Sequence, residues 1–196
     1  TLFPYTTLFR SATGMRRVRA VIDSGAIGQP TWARLGFRTG YDVFKGQPYL
    51  AEEKRLVILD VGIHVLDLAR FFLGEVDNLS CETQKRIPTI AGEDTATILM
   101  RHESGAVSLV ESTYAARKIP DAFPETLVEI EGTEGSIVVT RGETMQVTTQ
   151  GIFFEEKIGS PLLPWTSRPW HGSQEAVLHA NRHMLEAFRA GRPAST

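Results

Sequence analysis

Apolar residues recur every three to four positions in three segments of the chain, which is the spacing of a buried helical face. Residues 15–24 carry such a stripe and end before a glycine, the residue most typical of helix C-termini. A second helix is predicted from about Asp60 to Leu73, and because almost every position in it is apolar, it should be buried. A third helix is predicted near the end of the chain, capped by Ser173 and stopped near Gly191.

Alternation of apolar and polar residues predicts β-strands in the rest of the chain. The first strand, residues 31–38, points Ala33, Leu35 and Phe37 to one side of a sheet. Seven further short strands are predicted at residues 79–86, 94–102, 105–115, 125–131, 136–140, 144–149 and 152–158. Residues 39–55 are predicted to form a long loop, and loops of that length are usually functional or mobile. This order of elements indicates an α+β fold, a largely antiparallel, open-faced sheet with helices packed on one face.

Composition and charge narrow the class of protein. The 196 residues include 21 basic and 23 acidic side chains, a net charge of −2, so we expect no partner among nucleic acids or anionic membranes. No stretch reaches the about 20 consecutive apolar residues of a transmembrane helix. A single cysteine, Cys81, excludes an intramolecular disulfide and a thiolate metal cage, and with no adjacent base it should be inert. These features favour a cytoplasmic protein.

The first eleven residues, TLFPYTTLFRS, fit none of these patterns. They contain no acid, and no cap or turn leads into the following helix. The codon series of a common sequencing-library adapter translates letter for letter into this stretch. We therefore expect residues 1–11 to be an artefact that forms no element, the natural N-terminus to be missing, and residues 12–196 to form one domain.

The candidate catalytic residues lie in the buried helix, within D-V-G-I-H-V-L-D at residues 60–67. Positions i, i+4 and i+7 share a helix face, so Asp60, His64 and Asp67 should project together from an apolar element. Two interpretations stay open. In the first, Asp60 holds His64 as a structural core histidine and Asp67 pairs with Arg70. In the second, Asp60 orients or charges His64, which acts as a general acid or base.

Several other residues are weaker candidates for binding. Gly62 lowers helix stability, which would make sense if a ligand or backbone approached closely there. Two loop cations could reach a substrate hydroxyl or carboxylate, although such cations are usually only solvated. Three aromatic residues could line a binding pocket, although such aromatics usually pack in the core. These residues are Arg117, Lys118, Tyr41, Tyr49 and Trp170.

Two histidines near the end of the chain have a spacing that metals can use. His179 and His183 stand at i and i+4, but the motif lacks the glutamate of zinc hydrolases and a third ligand. A solvated helix face is the better explanation, so we predict no metal site. A metal-dependent hydrolase is a further functional hypothesis, and it rests only on these two residues.

Three segments together resemble the C-terminal domain of the Gfo/Idh/MocA oxidoreductase family. They are QPYLAEEKRLVILDVGIHVLDLARFFLGEV at 47–76, LVEIEGTEGSI at 127–137 and SGAIGQP at 24–30. The resemblance covers most of residues 15–196, and D-x-G-x-H-x-x-D is its most specific motif. It implies a two-domain enzyme in which an N-terminal Rossmann domain binds NAD or NADP. The α+β domain that follows commonly mediates oligomerisation through its open sheet.

The resemblance also implies an activity, the oxidation or reduction of a hydroxyl or carbonyl group on a sugar, cyclitol or related polyol. By the family's pattern, His64 acts on the reacting hydroxyl and Asp60 positions the substrate or the imidazole. A lysine of the N-terminal domain completes the acid–base set.

The chain departs from the family pattern in three places. It has no G-x-G-x-x-G between a strand and a helix, it lacks the lysine motif, and it stops at GRPAST where relatives continue into another helix. We therefore expect a fragment, incomplete at both ends, that is inactive by itself and whose cofactor is bound by the missing domain. A homo-oligomer through the open sheet face is also expected. The alternative is a non-catalytic ligand-binding or scaffold domain, which has no evident need for a buried Asp60–His64 pair.

Overall fold

The computed structural model describes residues 8–121 and 123–192, and this part of the chain is an α+β fold. The helices are α1 (Leu8–Ser11), α2 (Thr13–Asp23), α3 (Ile63–Leu73) and α4 (His171–Arg189). The strands are β1 (Pro30–Arg38), β2 (Val76–Gln84), β3 (Thr95–His102), β4 (Val107–Thr113), β5 (Leu127–Gly132), β6 (Gly135–Thr140), β7 (Thr144–Thr149) and β8 (Ile152–Lys157). Short 3-10 helices span Val43–Lys45 and Pro48–Glu52, and a π-helical turn, Ile58–Gly62, leads into α3.

The strands form a single sheet in the order β2-β3-β4-β1-β5-β6-β7-β8. Every neighbouring pair is antiparallel except β1 with β4, which run parallel. Because β1 and β4 point the same way, the segments that follow them leave the same edge of the sheet. The predicted fold class, a largely antiparallel sheet with helices on one face, is confirmed.

One face of the sheet and the helices enclose the core. Ala33, Leu35 and Phe37 of β1 are buried as their alternation predicts, and α3 packs across β1 and β4. The predicted burial of α3 is also confirmed, since Leu68 is fully enclosed. Other core side chains come from α2, α3 and the inner strands: Val18, Ile22, Phe72, Val110, Ile130, Ile137, Met145 and Val147.

In the described part of the chain, the helices leave the opposite face of the sheet uncovered. There Glu111 forms ion pairs with Arg34 and Arg38, and the large apolar side chains of Leu99 and Phe153 are exposed. Exposed apolar side chains on an open sheet are compatible with self-association. The predicted homo-oligomer nevertheless stays a prediction.

Two predicted boundaries are wrong. Ser173 does not cap the last helix, because α4 already begins at His171. The α-helix expected from Asp60 starts at Ile63, and a π-helical turn replaces its first turn. The long loop predicted at residues 39–55 is also interrupted, by the two 3-10 helices.

The end of the segment expected to form no element is helical. Leu8–Ser11 forms α1, which packs against α3 and α4, so that expectation is wrong for these four residues. Residues 1–7 lie outside the described part of the chain. The adapter origin of this segment stays a prediction.

Among the described residues, no helix combines the length and the apolar character that a bilayer crossing requires.

The central strand offers a direct test of this packing. Leu35 is 0% exposed in β1 whereas Leu99 is 50% exposed on the uncovered face of β3. We expect Leu35→Ala to lower the free energy of unfolding by about 2–5 kcal/mol because it leaves a cavity. Leu99→Ala should change the same quantity by less than about 1 kcal/mol. Urea unfolding followed by circular dichroism measures both, and equal losses would contradict the assigned faces.

Candidate active site

The candidate site forms where the segments after β1 and β4 meet. Two backbone hydrogen bonds hold these segments together beyond the strands, from Thr39 N–H to Thr113 O at 2.9 Å and from Ala116 N–H to Thr39 O at 3.1 Å. A β-carbon on Gly40 would lie 2.2 Å from Ala116 O, so only glycine permits this approach of the two backbones. The site therefore depends on the parallel strand pair.

Asp60 lies in the π-helical turn that precedes α3. In this turn the N–H of Ile63 reaches the carbonyl of Ile58, five residues back, and the added residue per turn rotates Asp60 from its α-helical position. A β-carbon on Gly62 would lie 3.1 Å from Val57 O and 3.6 Å from Ser112 Oγ. The close backbone neighbour of Gly62 is therefore the carbonyl of its own turn, whereas β4 makes only an ordinary side-chain contact.

The carboxylate of Asp60 is bound by a residue that the sequence analysis missed. The Tyr114 hydroxyl, just beyond β4, donates a short hydrogen bond to Asp60 Oδ2. Burial, and after it the charge of Asp60 and this hydrogen bond, raise the pKa of Tyr114. The hydroxyl therefore stays protonated at neutral pH and acts as a donor. A polar aromatic at the end of a strand was the only sequence signal for it.

His64 and Asp67 both face α1. The His64 ring stacks on Phe9 with centroids 4.8 Å apart, and Asp67 Oδ2 lies 3.2 Å from Arg10 Nε. The predicted pairing of Asp67 with Arg70 is wrong. Arg70 instead binds the Glu75 carboxylate at 2.7 Å, because Asp67 is buried while Arg70 extends to solvent.

Burial dominates the electrostatics of Asp67. Burial raises the pKa of the Asp67 carboxyl above its ordinary value, although the positive charges of Arg10 and Arg70 oppose this shift. Since a group in such an environment disfavours its charged form, Asp67 is a poor candidate for binding a substrate hydroxyl as a carboxylate. The burial of Asp67 favours the structural role that the sequence predicted for it.

Aromatic rings stack beside the site. Tyr41 lies flat on Phe123 with centroids 4.4 Å apart, and Trp170 meets Phe123 edge-on at 5.0 Å. Phe123 also contacts Phe37 of the core at 6.1 Å. The structure thus brings together two of the predicted aromatic candidates, Tyr41 and Trp170, through a third ring that the sequence analysis missed.

The remaining predicted binding residues are exposed. Tyr49 is 58% exposed in the second 3-10 helix, and its hydroxyl donates to Gln47 Oε1 at 2.8 Å. Arg117 and Lys118 are exposed in the loop after β4. Their roles in binding stay predictions.

Asp121 fastens the two loops to each other. Its carboxylate accepts hydrogen bonds from Thr39 Oγ1 at 2.5 Å, Gly40 N–H at 2.6 Å and Phe123 N–H at 2.8 Å. Burial alone would raise the pKa of Asp121, but these hydrogen bonds outweigh it and hold that pKa below the ordinary range. The charged carboxylate therefore fixes Phe123, and with it the aromatic cluster.

A cavity of about 510 Å³ adjoins the aromatic cluster, between the first residues of α2 and α4 and the ends of β6 and β8. Phe9 and Phe123 form part of its wall, and Glu143, Arg168 and His171 contribute charge. Burial raises the pKa of Glu143 against the opposing charges of His171 and Arg168. None of these three residues was found from the sequence, because Glu143 lies in a hairpin, Arg168 in a loop and His171 at the first position of α4, and no motif marks any of them.

The two histidines with metal spacing have an ordinary environment. His179 Nε2 lies 3.2 Å from Glu175 Oε1 on the same helix. Within the described residues, no three His, Cys, Asp or Glu side chains are grouped closely enough to hold a metal ion.

Burial raises the pKa of the Cys81 thiol, which keeps it in its unreactive form.

Comparison with known proteins identifies the family. A family model described as the GFO/IDH/MocA C-terminal domain matches residues 15–138, from α2 into β6. The chain belongs to the Gfo/Idh/MocA family. This confirms the resemblance carried by the D-x-G-x-H-x-x-D motif.

Two curated relatives of this Gfo/Idh/MocA domain are D-apiose dehydrogenases. The protein from Rhizobium rhizogenes is 47% identical over 188 residues, covering 96% of this chain and 54% of the relative. The protein from Paraburkholderia graminis is 40% identical over 188 residues, covering 96% of this chain and 50% of the relative. The chain thus spans about half the length of the curated relatives it matches.

Solved structures show the same Gfo/Idh/MocA fold. An oxidoreductase from Agrobacterium radiobacter, crystallised with NAD+, L-tartaric acid and magnesium, has a TM-score of 0.94 and 46% identity over 96% of this chain and 55% of that chain. Levoglucosan dehydrogenase in complex with NADH and levoglucosan has a TM-score of 0.74 over 94% of this chain and 56% of that chain. At 21% identity, this second likeness shows the fold alone.

The clamp formed by Asp121 should depend on pH. Because its pKa in the folded chain lies below the ordinary value of about 3.9, its stabilising effect is complete above about pH 4 and is lost as the pH falls through the folded value. We expect Asp121→Asn to lower the melting temperature at about pH 6, and the difference from the unsubstituted chain to shrink towards about pH 2. Thermal unfolding across this range measures it, and a difference that does not change with pH would contradict the clamp.

Proposed function

We propose that the chain is the substrate-binding half of a nicotinamide-dependent dehydrogenase that acts on a hydroxyl or carbonyl group of a sugar or related polyol. The observation that carries this proposal is that Tyr114, just after β4, binds Asp60 of the motif that also holds His64, where α3 packs across β1 and β4. The identity of 47% with a D-apiose dehydrogenase over 96% of this chain supports the reaction class.

In the proposed reaction, an alcohol carbon loses a hydride while its hydroxyl loses a proton. NAD or NADP would supply the hydride acceptor. His64 would take the hydroxyl proton as general base, which requires its ring nitrogen within about 2.6–3.2 Å of the substrate oxygen. Asp60 would orient the substrate or the imidazole. Reduction of a carbonyl is the same step reversed, with His64 returning the proton.

The nucleotide would be held elsewhere. Pyrophosphate binding by a dinucleotide fold needs a glycine-rich turn between a strand and a helix N-terminus. Within the described residues, no G-x-G-x-x-G follows a strand, so the chain's own side chains do not fit the cofactor. We therefore assign nucleotide binding to the part of the relatives that this chain does not match.

Substrate recognition would use the surfaces around His64. The nearby cavity of about 510 Å³ is lined by Phe9, which stacks on His64, and not by His64 or Asp60 themselves. Its volume falls within the usual range for ligand pockets, about 300–1,000 Å³. Tyr41 and Trp170 offer ring surfaces for the C–H faces of a sugar, while exposed Arg117 and Lys118 offer donors to its oxygens. Tyr49 lies close enough to Tyr114 to contribute to the rise of its pKa, so it also belongs to this region.

Loss of the proposed base gives the main test. In the full-length dehydrogenase, His64→Ala should lower kcat/KM by about 100-fold or more, because general-base catalysis contributes about that much. Turnover is measured by NADH absorbance against a panel of aldoses and polyols that includes D-apiose. His179→Gln on α4 serves as the control and should retain activity.

The melting temperature of His64→Ala should stay close to that of the unsubstituted protein, because His64 is only half-buried. Full activity in this folded variant would contradict the proposed base. A full-length protein that binds the sugar without any turnover would favour the non-catalytic binding domain instead.

Nucleotide binding gives a second test, on the chain alone. We expect the isolated chain to bind NAD+ and NADP+ weakly and to show no dehydrogenase activity, since it lacks a pyrophosphate site. Isothermal titration calorimetry with each nucleotide measures the affinity. Nanomolar binding by residues 12–196 would refute the division between the two halves.

A further inference from the structure

Tyr114 has a fixed position between the sheet and the helix that carries the proposed base. Its N–H donates to Asp94 O at 2.9 Å, which anchors the residue directly after β4. Its ring packs edge-on against Phe44 with centroids 6.4 Å apart, and only 6% of the residue is exposed. The position of the hydroxyl is therefore fixed, and the hydroxyl donates its hydrogen bond to Asp60 Oδ2.

This hydrogen bond has a fixed direction. A carboxylate only accepts, so the buried Tyr114 hydroxyl must donate its proton to Asp60. Because burial and the neighbouring charge raise the pKa of Tyr114, the hydroxyl keeps its proton at neutral pH. Tyr114 is thereby unable to act as the base that deprotonates an alcohol, and that task remains with His64.

Asp60 is half-buried, in the π-helical turn that precedes α3. A carboxylate in such a place rotates freely unless a neighbour fixes it, and catalytic geometry tolerates errors of only about 0.5 Å. Tyr114 directly follows β4 and its backbone is hydrogen-bonded to Asp94. Its hydrogen bond therefore fixes Asp60 relative to the sheet.

We propose that Tyr114 is a positioning residue of the dehydrogenase, which through its hydroxyl fixes the carboxylate of Asp60, four residues before His64 in the chain. This inference rests on the proposed function. Tyr114 touches neither substrate nor cofactor in this role. It acts through Asp60, so its contribution should vanish when Asp60 no longer has a carboxylate.

Tyr114→Phe removes the hydroxyl and keeps the ring against Phe44. In the full-length dehydrogenase, we expect kcat to fall about tenfold or more, since hydrogen bonds to charged groups are worth about one such factor, with KM changed less than about threefold. The pH midpoints of kcat/KM should stay where they are, because Tyr114 is not the proton acceptor. Loss of one limb of the pH profile would assign the base to Tyr114 and overturn the proposal.

Ser108→Ala is the matched control. Ser108 lies in β4, the strand that Tyr114 follows, is also buried, and shares a hydrogen bond of 2.9 Å with His102 Nε2 through its hydroxyl. Both variants remove one buried hydroxyl and should lower the melting temperature by about 2–4 °C. Only Tyr114→Phe should reduce kcat. Equal effects of the two variants on kcat would show a general loss of stability and overturn the positioning role.

A double-mutant cycle with Asp60→Asn separates this proposal from the proposed function. Tyr114→Phe should have little further effect on kcat in the Asp60→Asn background, and independent, multiplying effects would overturn the coupling. The same cycle on melting temperature, in the 196-residue chain, reports the contact without any catalysis. The full-length protein could show no turnover while the stability cycle shows coupling. That result would refute the proposed function and the catalytic role of Tyr114, but it would confirm the contact between Tyr114 and Asp60. Absence of coupling in both cycles refutes the contact itself.

Discussion

The parallel pairing of β1 with β4 decides where the candidate site forms. Elsewhere in the sheet neighbouring strands are antiparallel, and their carboxyl ends point to opposite edges. At this one pair both ends meet, and α3 packs across the same two strands. Tyr41 follows β1, Tyr114 follows β4, and Asp60 precedes α3, so three distant parts of the sequence reach one place.

The polar groups around α3 are accommodated in different ways. Asp60 accepts a hydrogen bond from a buried tyrosine, a neutral partner that needs no counter-charge. Asp67 is enclosed more deeply, and burial raises its pKa in spite of the nearby arginines. Arg70 turns outwards to Glu75. A buried charge is tolerated only when its partners compensate for lost hydration, so these three arrangements suit different roles.

The chain belongs to the Gfo/Idh/MocA family, and the site indicates which share of the proposed dehydrogenase chemistry it would perform. The proposed half would carry the groups that move a proton and hold a sugar. Hydride transfer would need the nicotinamide on the other side of the substrate, supplied by a separate nucleotide-binding fold. Dividing the two tasks between domains would leave the substrate at their boundary, a common location for ligand sites.

The sequence by itself determined the element types, the buried faces and the motif that carries Asp60 and His64. These follow from local periodicity, and Ala33, Leu35 and Phe37 are buried as their spacing requires. Only the tertiary structure decided the partners. Tyr114, Phe123 and Asp121 reach the site through a parallel pairing between strands far apart in the chain, which no local pattern encodes. The π-helical turn likewise arises where Gly62 packs against β4. Arg70 binds Glu75, and the buried Asp67 pairs with Arg10 instead. Burial is a property of the folded chain, so local sequence did not predict these pairs.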